Sequence, residues 1–334
     1  MNIAVTINYQ SSLATAMEDF IRIKKLEGYD YDGVASILKV FDRFLFRSGF
    51  RGQRLDRATV ENYIAESRKA GLHPNSLYRR VWIVSKFSRY LAQVDPDSYA
   101  LEKIPVSQAP SRRPYLYSRE EILKLIEAAG QLRSTPTDPL RPHTYSTLIG
   151  LLYVSGLRIG ETLALSEDDF DRGQSRLYVR KGKFGKDRWV PLSESTSAII
   201  EDYARRRRKV ACGSQEQAAL FIGRGGKGLN QSAAGYTFRK LLGICQIGGS
   251  SQSRPHLHDL RHTFAVERLR QAYEQGNDGK ELNALLPVLA TYMGHRSITG
   301  TQVYLHATEE LRQEASKRFR QYVFRAEEGI SAQN

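Results

Sequence analysis

Apolar residues recur at helical spacing through the first hundred positions. Val34, Ile37, Leu38, Phe41 and Leu45 fall on one face of a helix expected between Asp30–Asp32 and Gly49. Another helix is expected from Ala58 to Ala70, ending at Gly71. The next begins near Pro74–Ser76, with Leu77, Val81, Val84, Phe87 and Leu91 on one face and Arg79, Arg80, Lys86 and Arg89 on the other. Such a cationic face suits either solvent or a phosphate backbone. From 95 to 117 the period disappears, and prolines, serines and Arg112–Arg113 mark a linker. Ser118 with Glu121 three residues on is a capping box that restarts a helix.

Beyond it the pattern is mixed. Leu148 to Val154 reads as a buried helix that stops at Gly156. Residues 176–180 and 188–192 alternate as two strands around KGKFGKD, the signal of a hairpin. Glu167–Asp169 and Asp171 read as a turn, Ile199 to Arg208 as a helix ending in four arginines, and 223–235 and 246–255 as Gly- and Ser-rich loops. The fold class expected is mainly α with a small β-sheet (α+β). An all-helical domain at 1–100 would be joined by the linker 101–117 to a mixed domain at 118–334 that ends in a tail helix. A basic linker between two basic domains could let them close on a duplex as a clamp.

Composition narrows the function. Of 334 residues, 41% are hydrophobic, enough for packed cores. No apolar run approaches the ~20 residues of a membrane span, and the first residues carry no secretory pattern, so a cytoplasmic protein is expected. Cys212 and Cys245 are isolated, which suits a reducing compartment and builds no metal framework. Lys and Arg number 50 against 36 Asp and Glu, a net charge of +14 spread along the chain. A chain this basic is expected to bind a polyanion, with nucleic acid the default.

Four stretches carry candidate chemistry. In the last, MGHRSITGTQVYLH, His295 precedes Tyr304 by nine positions (304 − 295). Tyrosine, with a free pKa of about 10, becomes a useful nucleophile when cations surround the group it attacks and a neighbour accepts its proton. Arg158 lies at the N-terminal edge of a helix in SGLRIGETLALSEDDFD, where its fork and the free backbone N–H groups would make an anion site. Lys183 sits in the hairpin turn, placed to act as a general acid, while Lys181, Lys186 and Arg188 beside it read as phosphate-holding. HDLRHTFA puts His258 and Arg261 on one helix face. His256, His258 and His262 could instead ligate a metal, but the segment lacks a Glu between the histidines and a placed third ligand.

Taken in order, Arg158, Lys183, His258, Arg261, His295 and Tyr304 resemble the catalytic set of the tyrosine recombinase (phage integrase) family. PNSLYRRVWIVSKFSRYLA is similar to that family's core-binding, DNA-binding domain, and NALLPVLATYMGH resembles the integrases carried by transposons. The resemblance implies a site-specific recombinase that cuts and rejoins DNA through a 3′-phosphotyrosyl intermediate without metal, ATP or other cofactor. It implies double-stranded DNA with paired half-sites as partner, a homo-oligomer on DNA (a tetrameric synapse), in some cases with a sister recombinase, and a cytoplasmic, nucleoid-associated location with no membrane partner. The rivals are a type IB topoisomerase, a catalytically silent DNA-binding regulator, and a metal-dependent nuclease, which would need clustered carboxylates. Arg261 lies 34 residues before His295 (295 − 261), longer than is usual in the family, and the surplus is expected in a loop at 274–283.

Overall fold

The computed structural model describes residues 8–29, 31–110, 112–180, 187–210, 219–249, 254–274 and 279–294. The chain divides into two compact units, Met1–Ser111 and Arg112–Asn334.

The first unit is helical: α1 (Ala14–Leu26), α2 (Asp32–Arg47), α3 (Arg57–Lys69) and α4 (Pro74–Val94). α2 and α4 bury the stripes that their periods predict. Leu38, Phe41, Leu45, Val81, Val84 and Phe87 are at most 1% exposed. Phe41 meets Tyr63 of α3 edge-on at 4.8 Å, and Phe20 of α1 meets Phe87 at 5.7 Å, the geometry aromatic pairs prefer. α3 is capped by Asp56, whose side chain accepts from the Thr59 N–H. Asp42 is a buried acid on α2 that accepts the backbone N–H groups of Gln10 and Ser11, pinning the segment before α1. Arg79, Lys86 and Arg89 of α4 are exposed. Within the stretch read as a linker, Leu101 is buried and exchanges hydrogen bonds with the hydroxyls of Ser85 and Ser88.

The second unit holds α5 (Arg119–Gly130), α6 (Arg141–Ser155), α7 (Ile159–Leu163), β1 (Phe170–Asp171), β2 (Arg176–Val179), β3 (Arg188–Pro191), α8 (Glu194–Val210), α9 (Gln231–Ile244), α10 (Asp259–Glu274) and α11 (Gly279–Met293). The Ser118–Glu121 capping box opens α5. α6 packs on α5, α8 and α10, and α10 packs on α11. The three strands form one antiparallel sheet in the order β1-β2-β3, with Leu177 opposite Val190 and Tyr178 opposite Trp189. Leu177, Val179 and Val190 face the core, while Trp189 faces outward with the Arg176 guanidinium 3.8 Å from its ring. The protein is thus mainly helical with a small three-stranded sheet. Among the described residues no helix is long and apolar enough to cross a membrane.

Three local expectations are revised. The acidic turn after α7 becomes a 3-10 turn, Glu167–Asp169, followed by the short strand β1. Residues 231–235, read as loop, open α9, because the Asn230 side chain caps the Ala233 N–H and overrides the weak propensity of the glycines and serines. The surplus before His295 is not loop throughout: Gly279–Asn283 form the start of α11, as Lys, Glu and Leu favour.

Candidate active site

The site is built where three chain segments meet the end of one helix. α6 ends at Gly156 with φ of 60°, and a Cβ there would lie 2.3 Å from the Phe264 ring of α10, so no other residue fits without strain. Leu157 is then buried, and Arg158 stands immediately before α7. α10 packs on α6 and carries Arg261. α11 ends at Met293, and Gly294 leaves it with φ of 65°.

The last carbonyls of α11 are taken up by arginines. Arg261 Nη2 donates to the Met293 carbonyl at 2.7 Å, and its Nη1 to the Gly156 carbonyl at 2.6 Å. Arg158 Nη1 reaches the same Met293 carbonyl at 3.3 Å, and its Nη2 reaches the Gly294 carbonyl at 2.9 Å. Arg188 of β3 donates from Nε to the Tyr292 carbonyl at 2.9 Å. A helix C-terminus leaves its final carbonyls without intrahelical partners and carries partial negative charge, so three guanidinium groups satisfy it both by hydrogen bond and by field.

Glu161 binds two of those arginines together. Its carboxylate accepts from Arg158 Nη1 at 2.7 Å and from Arg188 Nη2 at 2.8 Å, and it also accepts the Arg158 backbone N–H at 3.1 Å. Burial pushes the Glu161 carboxyl up, but the Arg188 guanidinium, followed by Arg158, outweighs it and brings the group down to about 2. Glu161 is therefore a carboxylate at any working pH. With Arg158, Arg188 and Arg261 around it, the cluster keeps a net positive charge.

His258 is exposed just before α10, its ring 4.9 Å from His262 and perpendicular to it. Burial, then the neighbouring His258, bring His262 down to about 4, so its ring is neutral near pH 7. The backbone around His258 is fixed from below. The buried Asp259 carboxylate accepts Arg112 Nη2 at 2.6 Å and the His256 backbone N–H at 2.8 Å, and Arg112 Nη1 donates to the Arg254 carbonyl.

Of the six residues singled out in the sequence, the structure brings Arg158 and Arg261 onto one carbonyl and sets His258 at the start of the helix that carries Arg261. Lys183, His295 and Tyr304 lie outside the described residues, as does the tail. Two readings change. α7 has five residues, and the backbone N–H that Glu161 accepts is that of Arg158 itself, so Arg158 is engaged by a carboxylate and two carbonyls. Arg188, read as phosphate-holding, turns inward to Glu161 and Tyr292 and is 13% exposed. Glu161 and the Arg112–Asp259 pair received no role from the sequence. The one available signal was the spacing of Glu161, three residues after a helix start.

Residues 117–310 match the model of the phage integrase family. The chain belongs to that family: it is a tyrosine recombinase, an enzyme of site-specific DNA recombination that binds DNA. A Sinorhizobium fredii protein named as an integrase/recombinase, y4rB, is 35% identical over 312 residues, covering 92% of this chain and 97% of that protein. The tyrosine recombinase XerD of Caulobacter vibrioides is 32% identical over 274 residues, covering 80% of this chain and 82% of XerD. Among solved structures, the Tn1549 transposon integrase in complex with transposon right end DNA shares the fold with a TM-score of 0.60 at 14% identity, covering 90% of this chain and 98% of that one.

Proposed function

We propose that this recombinase integrates, excises or transposes a mobile element, with Arg158, Lys183, His258, Arg261, His295 and Tyr304 as its catalytic residues. The observation that carries the site is the convergence of Arg158 and Arg261 on the Met293–Gly294 carbonyls, directly before His295 in the chain. An arginine has five N–H donors, so each can hold carbonyls on one side and a phosphate oxygen on another. The mobile-element role is supported by the likeness to y4rB and by the resemblance of the α11 segment to transposon-borne integrases.

Tyr304 Oη attacks the phosphorus of one phosphodiester while the bond to the 5′ oxygen breaks. Lys183 gives a proton to that leaving oxygen, and His258 accepts the proton of the tyrosine. Arg158 and Arg261 clamp the non-bridging oxygens as charge develops on them, with His295 as a further donor. The products are a 3′-phosphotyrosine and a free 5′-hydroxyl, and the 5′-hydroxyl of another strand reverses the attack. One phosphodiester is exchanged for another, so the chemistry calls for no metal, ATP or other cofactor. Each protomer brings one nucleophile, and exchanging both strands of two duplexes uses four cleavages. This supports a homo-tetrameric synapse on paired half-sites, with a tail helix at Thr308–Arg325 docking into a neighbouring protomer.

The testing experiment is recovery of covalent protein–DNA adducts, in excess EDTA, on duplexes taken from the DNA flanking the gene. The expected result is a 3′-phosphotyrosyl adduct at Tyr304 and a unique cleaved bond. Cleavage that leaves no adduct and needs a divalent ion would replace this reading with the metal-dependent nuclease.

A further inference from the structure

Arg188 is tied to the clamp at three places, and the proposed function leaves it without a task. It leaves the first residue of β3 and lies largely buried, with its Nη2 and Nη1 on the two oxygens of Glu161 at 2.8 and 3.3 Å. Its Nε holds the Tyr292 carbonyl at 2.9 Å. Its guanidinium also lies close against the turn that leaves α11: a Cβ on Gly294 would meet Nη1 at 3.0 Å and Cζ at 3.2 Å. The same Glu161 carboxylate holds Arg158, whose Nη1 would lie 3.5 Å from that Cβ.

We propose that Arg188 is a positioning residue for the phosphate clamp: by sharing Glu161 and holding the Tyr292 carbonyl, it keeps Arg158 only half neutralised and fixed at the turn before His295. This inference rests on the proposed function of the site, with Arg158 as a clamp on the scissile phosphate. One buried carboxylate faces two guanidinium groups, so neither arginine is fully paired and Arg158 retains attraction for a phosphate. Without Arg188, the carboxylate would belong to Arg158 alone, as a close one-to-one pair in a poorly solvated place where such pairs are strong. Arg158 would then be neutralised where the transition state needs its charge. The freed Tyr292 carbonyl would loosen the end of α11 as well. DNA affinity would change little, since it is set by many cations spread over the protein.

The experiment measures two quantities on the full-length chain, using a nicked suicide duplex built around the cleaved bond mapped in the flanking DNA: the single-turnover rate of adduct formation and the dissociation constant for a half-site. Arg188→Met is expected to slow adduct formation roughly tenfold to a hundredfold, with half-site affinity within about twofold. Glu161→Gln in the Arg188→Met background is expected to restore part of that rate, because it removes the charge that would neutralise Arg158. A role limited to holding the fold together gives no such rescue, since losing a second partner from the same network compounds the damage. If Arg188→Met does not fold, Arg188→Lys carries the test: lysine keeps the charge but cannot serve both Glu161 oxygens and the Tyr292 carbonyl, so cleavage should fall severalfold with binding intact. Wild-type cleavage by either variant, or a double variant slower than Arg188→Met, would overturn the inference. Absence of adduct from the wild-type chain on the same gel would overturn the proposed site itself, so the two failures are told apart.

Discussion

Arg158, just before α7, and Arg261 of α10 donate to a single acceptor, the carbonyl of Met293, at 3.3 and 2.7 Å. That carbonyl ends α11, and His295 follows two residues later. The arrangement explains how residues far apart in sequence form one site. A helix C-terminus needs donors, two arginines supply them, and the segment expected to carry His295 and Tyr304 begins at that point.

Substituting either arginine should separate binding from chemistry. Arg158→Ala and Arg261→Ala are each expected to lower single-turnover cleavage by at least ~100-fold, the usual effect of losing one preorganised transition-state donor. Half-site binding at fixed salt should change by only a few fold. Arg261→Ala should also lower stability by about 2 kcal/mol, because the buried carbonyls of Gly156 and Met293 each lose a donor. Near-wild-type cleavage by either variant would place the clamp elsewhere.

Gly156→Ala tests the joint beneath the site. The φ of 60° costs an L-residue about 1–2 kcal/mol, and a Cβ 2.3 Å from the Phe264 ring adds an overpacking cost of about 1–3 kcal/mol. A loss on the order of 3 kcal/mol is expected in denaturant unfolding. The Gly156 carbonyl would move with it, so adduct formation should fall further than the unfolded fraction explains. A stability equal to wild type would mean that α10 shifts freely away from α6.

These two sites show what the sequence could and could not disclose. α2, α4, the capping box at Ser118 and the stop at Gly156 were legible because apolar period and capping chemistry act over a few residues. β2 and β3 were legible from alternation. β1 was not, since two residues are too few to show a period. The starts of α9 and α11 were obscured by glycines and polar residues, although Asn230 is a good cap and Lys280, Glu281 and Leu282 are good helix formers. Among the site residues, Arg158 and Arg261 stood out by motif. Glu161 and Arg188 did not, because their importance comes from a contact between α7, β3 and α11 that no local pattern encodes.

The neutral His262 gives the stability a defined acid dependence. Its folded pKa is about 4, brought down first by burial and then by His258. The unfolded chain takes up a proton near pH 6.5 and the folded one does not until about pH 4. The stabilising contribution is therefore complete above pH 6.5 and is lost as pH falls from 6.5 to 4. His262→Gln should lose less stability across that window than wild type, by on the order of 1–3 kcal/mol, in denaturant midpoints measured at half-unit steps. Parallel curves for the two proteins would show that His262 titrates normally in the fold.

The central claim is that Tyr304 is the nucleophile of the recombination reaction, and the most direct measurement is a suicide-substrate gel comparing wild type with Tyr304→Phe. Removing one hydroxyl leaves the cationic site intact. The variant should therefore bind a half-site with wild-type affinity and form no covalent adduct, while wild type accumulates a 3′-phosphotyrosyl species. Covalent adduct formed by Tyr304→Phe at a rate near that of wild type would contradict the account.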